Sequence, residues 1–171
     1  MEFNVAFTGY RPEKMPFIES EANPQYTAFR AAHRGLVEHL IKQDCVNFFC
    51  GMARGFDLWA AEDVLYWRRT YPHIRLLCAL PFPGQASSWS DSERARWERV
   101  LAAADGSHTV CPAYHKGCFH ERNRYMVDRS DVLVAAFDGK PGGTAYTVDY
   151  ARELGLAILQ INPATAEIIR I

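Results

Sequence analysis

Two glycine-containing turns in this chain have the pattern of anion-binding loops. Gly142 and Gly143 follow the apolar run 132–137 and precede a helical pattern. Gly51 and Gly55 follow another short apolar run. A glycine turn at the start of a helix leaves backbone N–H groups free, and the helix dipole favours an anion beside them. Together the turns predict one phosphate-bearing ligand; the alternative is that each is only a tight strand-to-helix connection.

Charged and aromatic side chains near other strand ends could complete such a site. Arg11 follows the first apolar run and could bind a phosphate through two parallel hydrogen bonds. Tyr10 could stack on a base. Trp89 could also do so as a lid, or it could equally pack beneath its own loop. Arg54 could hold the ligand or be a solvated surface residue.

Alternating strand and helix patterns predict the fold class. Such alternation indicates an α/β, Rossmann-like three-layer fold, with a mostly parallel sheet and helices on both faces. We find no linker or repeat, so residues 1–171 are expected to form a single domain. The predicted strands are Phe3–Thr8, Val46–Cys50, Ile74–Leu80, Ser107–Cys111, Val132–Phe137, Ala157–Ile161 and a possible edge strand at 166–171. The predicted helices are Gln25–Gln43, Asp57–Thr70, Asp91–Ala104 with a cap at Ser90, Phe119–Arg129 and Thr144–Leu154.

Composition narrows the range of partners. Hydrophobic residues make up 49% of the 171 residues, which suffices for a packed core. The net charge of −1 provides no strong field for nucleic acid, so we expect nucleic acid to be an improbable partner. The apolar runs are too short to span a membrane, and the N-terminus has no signal-peptide pattern. We therefore expect a cytoplasmic protein with five reduced cysteines.

Metal binding is not predicted from the spacing of metal-ligating residue types. Cys111, His115, Cys118 and His120 lie within ten residues of one another. Their spacing matches no standard zinc finger or ribbon, so no metal and no required cofactor are expected. Three of the other histidines, namely His33, His39 and His73, are expected at surface or partly buried positions.

Five ordered motifs resemble one protein family. They are FTGYRP, CGMARGFDLWAAE, PFPGQASSW, FHERNRYMVDRSDVLVAAFDG and GGTAYTVDYARELG. In this order, and each beside a predicted strand end, they resemble the SLOG superfamily of Rossmann-like domains. That superfamily includes DNA-processing protein A and the LONELY GUY phosphoribohydrolases. The overall pattern is most similar to the small bacterial YpsA-like proteins.

The resemblance implies a ligand-binding frame and raises the question of catalysis. Arg122 matches the active-site arginine of the phosphoribohydrolases and is the candidate catalytic residue. Where those enzymes have a glutamate after the glycine turn, this chain has the residues 145–147, which are Ala, Tyr and Thr. The nearest acid is Asp149, two residues later, and two helical residues turn a side chain by about 200°. The resemblance therefore favours binding without turnover.

We predict a sensor or binding module for a nucleotide or nucleotide-derived small molecule, held at the carboxyl ends of the strands. The alternatives are an N-glycosidase acting on a nucleoside monophosphate, with Glu62, Glu121, Asp128, Asp138 or Asp149 as its acid, and a single-stranded nucleic-acid-binding protein. A homodimer is compatible with the sequence. The predicted ligand-binding residues are Thr8, Gly9, Tyr10, Arg11, Gly51, Met52, Arg54, Gly55, Pro81, Phe82, Gln85, Trp89, Arg122, Asn123, Asp138, Gly142, Gly143, Thr144 and Thr147.

Overall fold

The structure is a computed structural model that describes residues 1–171. Seven strands and five helices alternate along the chain, with a short 3-10 helix at Pro12–Lys14. The strands are β1 (Phe3–Gly9), β2 (Cys45–Cys50), β3 (Arg75–Leu80), β4 (Gly106–Thr109), β5 (Val132–Ala136), β6 (Ala157–Ile161) and β7 (Ile168–Arg170). The helices are α1 (Pro24–Lys42), α2 (Phe56–Arg68), α3 (Asp91–Ala103), α4 (Cys118–Val127) and α5 (Gly143–Glu153).

All seven strands form one sheet in the order β4-β3-β2-β1-β5-β6-β7. Every neighbouring pair is parallel except β6 and β7, which are antiparallel. The predicted α/β class is thereby confirmed, including the C-terminal edge strand. The chain runs outward from β1 to β4 and then returns to β5, so the order reverses between β1 and β5. In such sheets the strand ends diverge at the reversal and leave a crevice.

The helices cover the two faces of the sheet unequally. Helices α1 and α2 pack together on one face, with α3 beside α2, while α4 and α5 pack together on the other. This division follows from right-handed crossovers, because the chain moves in opposite directions across the sheet before and after β4.

The predicted cap of α3 is also present, since the Ser90 side chain accepts a hydrogen bond from the backbone N–H of Glu93. None of the five helices combines the length and hydrophobicity needed to span a bilayer.

A buried ionic cluster joins α1 to α2. The Asp63 carboxylate accepts hydrogen bonds from His33 Nδ1 at 2.7 Å and from Arg30 and Arg34 at 3.1 Å each. The sequence-based expectation for His33 is wrong, because this side chain is fully buried. Its ring also packs edge-on against Phe56. Burial alone would raise the pKa of Asp63, but the hydrogen bond from His33 and the charges of the two arginines outweigh it and lower that pKa.

Replacing Asp63 should therefore be costly. We expect Asp63→Asn to lower the free energy of unfolding at pH 7 by about 3 kcal/mol, because it removes the nearer of the two carboxylates that neutralise the largely buried Arg30. Since the pKa of Asp63 is lower in the folded state, its contribution is complete above the ordinary carboxyl pKa of about 4 and is lost as the pH falls below it. Urea unfolding followed by tryptophan fluorescence at pH 7 and at lower pH measures both effects.

The matched control is Asp149→Asn, which removes a carboxylate from the exposed pair with Arg152. We expect it to change the stability by less than about 0.5 kcal/mol. Equal effects of the two substitutions would contradict the role assigned to the buried cluster.

Candidate functional site

A crevice of about 360 Å³ opens where β1 and β5 diverge. Its floor and walls come from the ends of these strands and from the starts of α2, α4 and α5. Of the predicted residues, it brings together Thr8, Gly9, Tyr10, Arg11, Arg122, Asn123, Gly143 and Thr144. The sequence analysis missed six further lining residues, namely Glu13, Lys14, Ala53, Asp57, Phe119 and His120. Lys14 and Glu13 lie on the 3-10 helix, which the proline-rich segment gave no clear pattern to predict.

The buried side chain of Arg122 connects the crevice to the loop after β2. Only 4% of Arg122 is exposed, and its Nη1 donates a hydrogen bond to the backbone carbonyl of Gly51. Its Nε donates to Asn123 Oδ1 at 2.8 Å. A side chain at Gly51 could not coexist with this arrangement, because its Cβ would lie 2.7 Å from the guanidinium carbon. Gly51 is thus required for the close approach of Arg122.

Hydrogen bonds continue from Arg122 to the start of α5. Asn123 Nδ2 donates to Thr147 Oγ1 at 2.9 Å, and the Thr147 hydroxyl donates to the Gly143 carbonyl at 3.1 Å. Thr147 is 1% exposed, so it orients its neighbours and lines no cavity. The loop after β2 and the loop after β5 are therefore fixed relative to each other.

Helix α5 begins with free backbone donors. The N–H groups of Gly143, Thr144 and Ala145 have no acceptor within the chain, and no side chain caps this helix. The preceding Gly142 has φ 153°, a conformation that side chains rarely adopt. A Cβ on Gly142 would also lie 3.0 Å from Lys14 Nζ, which places this ammonium group beside the loop.

The turn before α2 uses some of its backbone donors within the chain. The Phe56 N–H donates to the carbonyl of Tyr10 at 3.2 Å. The Ala53 N–H donates to the carboxylate of Asp57, also at 3.2 Å. A Cβ on Gly55 would lie 2.9 Å from the carbonyl oxygen of Tyr10. The two glycine turns adjoin one crevice, and the N–H groups of Asp57 and Leu58 at the start of α2, like those at the start of α5, have no acceptor within the chain.

Three cations line the crevice without an ion-pair partner. No carboxylate oxygen lies within 4.0 Å of the charged nitrogens of Arg11, Lys14 or Arg122, whereas the acidic Glu13 is paired with Arg54. Burial lowers the pKa of Arg122, and the carboxylate of Asp57 opposes this effect. Burial likewise raises the pKa of Asp57, while the charge of Arg122 opposes it. The crevice therefore has an excess of positive charge.

Tyr10 is not available as a free stacking surface. Its side chain is 8% exposed, and its hydroxyl donates a hydrogen bond to Asp138 Oδ1. Burial and this hydrogen bond raise the pKa of Tyr10 to about 12. The hydrogen bond from Tyr10, with a smaller effect of Lys140, lowers the pKa of Asp138 to about 2. The pair joins the turn after β1 to the turn after β5.

A second cavity of about 470 Å³ adjoins the crevice and shares Arg11, Ala53 and Phe119 with it. It is lined by the predicted residues Arg54, Phe82, Gln85 and Trp89. Arg54 is engaged by Glu13 and Glu93, and Gln85 bonds the Gly51 carbonyl and the Trp97 indole. The remaining predicted residues line neither cavity, and they are Gly51, Met52, Gly55, Pro81, Asp138, Gly142 and Thr147.

The sheet order and the crevice at its reversal define a Rossmann-like α/β protein with a ligand-sized cleft at the carboxyl ends of its strands. The chain belongs to the YpsA family, described as the YspA SLOG family, whose model matches residues 5–161. The family resemblance seen in the sequence is confirmed. The relation to LONELY GUY phosphoribohydrolases stays a prediction.

Individual proteins agree with this assignment. A UPF0398 protein of Halalkalibacterium halodurans is 30% identical over 152 residues, covering 87% of this chain and 80% of its own. A UPF0398 protein of Bacillus cereus is 28% identical over 155 residues, covering 88% of this chain and 83% of its own.

Two solved structures have a similar fold. DNA processing protein A from Streptococcus pneumoniae superposes with a TM-score of 0.60 at 15% identity, over 93% of this chain but only 50% of its own. The same protein from Helicobacter pylori superposes with a TM-score of 0.61 at 19% identity, over 92% of this chain and 64% of its own. That structure describes a single-stranded DNA binding mode of the Helicobacter pylori protein.

The hydrogen bond between Tyr10 and Asp138 predicts a specific pH dependence. We expect Tyr10→Phe to raise the pKa of Asp138 from about 2 towards its ordinary value. A carboxyl whose pKa is lowered in the folded state stabilises the protein above pH 4 and loses this contribution as the pH falls towards 2, so the variant should lose stability less steeply in that range. Carbon-13 NMR titration of the aspartates measures the pKa.

Tyr150→Phe provides the control, because Tyr150 donates to Asp128 in the same way. It should leave the pKa of Asp138 unchanged. An Asp138 that still titrates near 2 in Tyr10→Phe would contradict the assignment.

Proposed function

We propose that this protein binds a nucleotide or nucleotide-derived small molecule in the crevice between β1 and β5, as a sensor or binding module. The observation that carries the proposal is the meeting of unpaired cations with the open N-terminus of α5. Free N–H groups and the helix dipole favour a phosphate there, and Lys14 stands beside the same loop. Arg11 and Arg122 line the same crevice and add positive charge to it.

The adjoining cavity supports a ligand with a second, less polar part. Phe82 and Trp89 line it, and Arg11 lies over the ring of Phe119 at 4.7 Å between the two cavities. A phosphate at α5 would thus leave a base or ribose to extend towards aromatic side chains. Ligand sites commonly combine a mostly pre-formed cleft with a few polar groups of this kind.

Binding without turnover is favoured by the positions of the carboxylates. Asp149 is exposed on α5 and pairs with Arg152, while Glu62 pairs with Arg96 and Arg30. Asp128 accepts a hydrogen bond from Tyr150, and Glu121 faces Cys111. Among the acids predicted for a glycosidase, Asp138 alone adjoins the crevice, through its bond to Tyr10. Asp57 does line the crevice, and it is the acid to replace if hydrolysis is detected.

Single-stranded nucleic acid is the second candidate ligand. The similarity to the DNA processing protein A of Helicobacter pylori favours it and weakens the expectation that nucleic acid is an improbable partner. The unpaired cations of the crevice could contact backbone phosphates in the same way as a free nucleotide phosphate.

Substitutions at the α5 loop test the proposed phosphate contact. A Cβ on Gly143 would meet no atom within 4 Å, so Gly143→Val should leave the fold intact and place its side chain in the space that the ligand needs. We expect it to abolish binding, and Lys14→Ala to weaken binding about tenfold, corresponding to about 1.4 kcal/mol. Calorimetric titration with nucleoside monophosphates, dinucleotides and ADP-ribose measures both effects, and chromatography of the mixtures detects any released base.

Gly35→Val and Arg69→Ala are the matched controls. Gly35 lies on α1 and also has no atom within 4 Å of an added Cβ, and Arg69 is an exposed cation outside the crevice. Neither control should alter the affinity. The proposal is wrong if no phosphate-bearing nucleotide binds, or if Gly143→Val binds as the wild type does.

An oligonucleotide titration separates the two candidate ligands. For a nucleotide-binding protein, we expect a fluorescent oligothymidylate to bind no more tightly than a mononucleotide. A single-strand binder would instead bind the oligomer far more tightly, with an affinity that falls steeply between 50 and 200 mM salt, by about 10-fold or more for a few phosphate contacts. Fluorescence anisotropy at the two salt concentrations measures this difference, with Gly143→Val as the variant that links binding to the crevice.

A further inference from the structure

The segment between β4 and α4 gathers four groups that can bind a metal ion. Ligand atoms of Cys111, His115 and Cys118 all lie within 4.8 Å of one another. Glu121, on the first turn of α4, adds a fourth group, because its Oε2 lies 2.8 Å from Cys111 Sγ and 3.4 Å from His115 Nε2. This cluster is separate from the crevice residues described above.

The imidazole of His115 is oriented as a metal ligand usually is. Its Nδ1 lies 2.9 Å from the backbone carbonyl of Lys116. A carbonyl only accepts hydrogen bonds, so Nδ1 carries the proton and Nε2 keeps its lone pair towards the cluster. Metal-bound histidines almost always fix their second nitrogen in this way.

The two sulfur atoms are buried. Cys111 is 2% exposed and Cys118 is fully buried. Cys118 is the first residue of α4, and its Sγ accepts a hydrogen bond from the backbone N–H of His115 at 2.9 Å. His115 and Glu121 are partly exposed, which leaves a path for the ion from solvent.

We propose that Cys111, His115 and Cys118 bind a zinc ion, with the carboxylate of Glu121 as the fourth ligand. Zinc bonds of about 2.3 Å to sulfur and about 2.0–2.1 Å to nitrogen or oxygen give a tetrahedron with ligand separations of about 3.3–3.8 Å. The observed separations require shifts of about 1 Å or less to reach these values. Thiolate and imidazole ligands select zinc over magnesium or calcium, which prefer oxygen.

The chain geometry explains why the sequence spacing gave no such prediction. The ligands are separated by three, two and two residues, which no standard finger or ribbon uses. Gly117 has φ 100°, and this left-handed residue lets the chain reverse so that Cys118 returns to His115. The fourth ligand is a carboxylate one helical turn later, and a search for paired cysteines and histidines passes over it.

Zinc at this position would fix the start of α4. That helix carries Phe119 and Arg122, which both line the crevice. The loop between β4 and Cys118 has no regular secondary structure. A bound zinc ion would therefore restrict the conformations of this loop without adding a packed core. A closed four-ligand site of this kind stabilises structure and leaves no open position for catalysis.

The metal content of the wild-type protein is the first test. We expect about one zinc per chain by elemental analysis after purification under reducing conditions and dialysis. Replacement by cobalt should give a thiolate-to-cobalt charge-transfer band that reaches its limit at one equivalent. Added zinc should raise Tm of the zinc-free protein by about 5–10 °C when it is a hundredfold above its Kd.

Variants then assign the ligands. Cys111→Ser and Cys118→Ser should each weaken zinc binding at least about tenfold in competition with a chelator and reduce the cobalt band. Cys45→Ser and His39→Ala replace the same residue types elsewhere in the chain and should leave the zinc content and the cobalt band unchanged. Glu121→Gln should weaken binding while keeping the charge-transfer band, because both sulfur ligands remain.

Three results would overturn the proposal. One is a reduced wild-type protein that keeps no zinc and gives no charge-transfer band with cobalt. Another is a band that both cysteine variants retain in full. The third is a Cys111–Cys118 disulfide found by mass spectrometry in place of bound metal. The wild-type measurements decide the matter even if a cysteine variant fails to fold.

Discussion

The buried guanidinium group of Arg122 determines how the loops around the crevice are arranged. A charge in the protein interior is stable only when its hydrogen-bonding capacity is satisfied. Arg122 meets part of this need by donating to the carbonyl of Gly51 and to the side chain of Asn123, which in turn donates to Thr147. Elements that are distant in sequence thus share one set of hydrogen bonds. A change in the position of α4 would break that set, so the walls of the crevice move together or not at all.

The distribution of charge around the crevice follows from the same arrangement. Most arginines elsewhere on the helical faces, such as Arg96 and Arg30, are neutralised by carboxylates. The cations at the crevice have no such partners, and Asp57 beside them uses its carboxylate to accept the Ala53 N–H. An excess of positive charge persists there although the whole chain has a net charge of −1. The net charge of a chain therefore says little about the charge of a single cleft.

The sequence predicted the fold well because most strands are short apolar runs with a glycine or proline close behind them, and most helices have a recurring apolar spacing. The family motifs located the crevice residues because they mark consecutive strand ends. The sequence carried no signal where distant segments meet. The carbonyl of Tyr10 accepts a hydrogen bond from the Phe56 N–H, and the side chain of Arg54 is paired with Glu13 and Glu93. Neither contact has a local pattern, since 40 or more residues separate most of these partners.

The position of Arg11 has a consequence for the boundary between the two cavities that it lines. The exposed Arg11 side chain lies over the ring of Phe119 and lines both the crevice and the second cavity. The side chain makes no hydrogen bond within the chain. Exposed side chains change rotamer within picoseconds to nanoseconds and disturb little packing when they do. A change of rotamer at Arg11 therefore alters the boundary shared by the two cavities while the backbone stays in place.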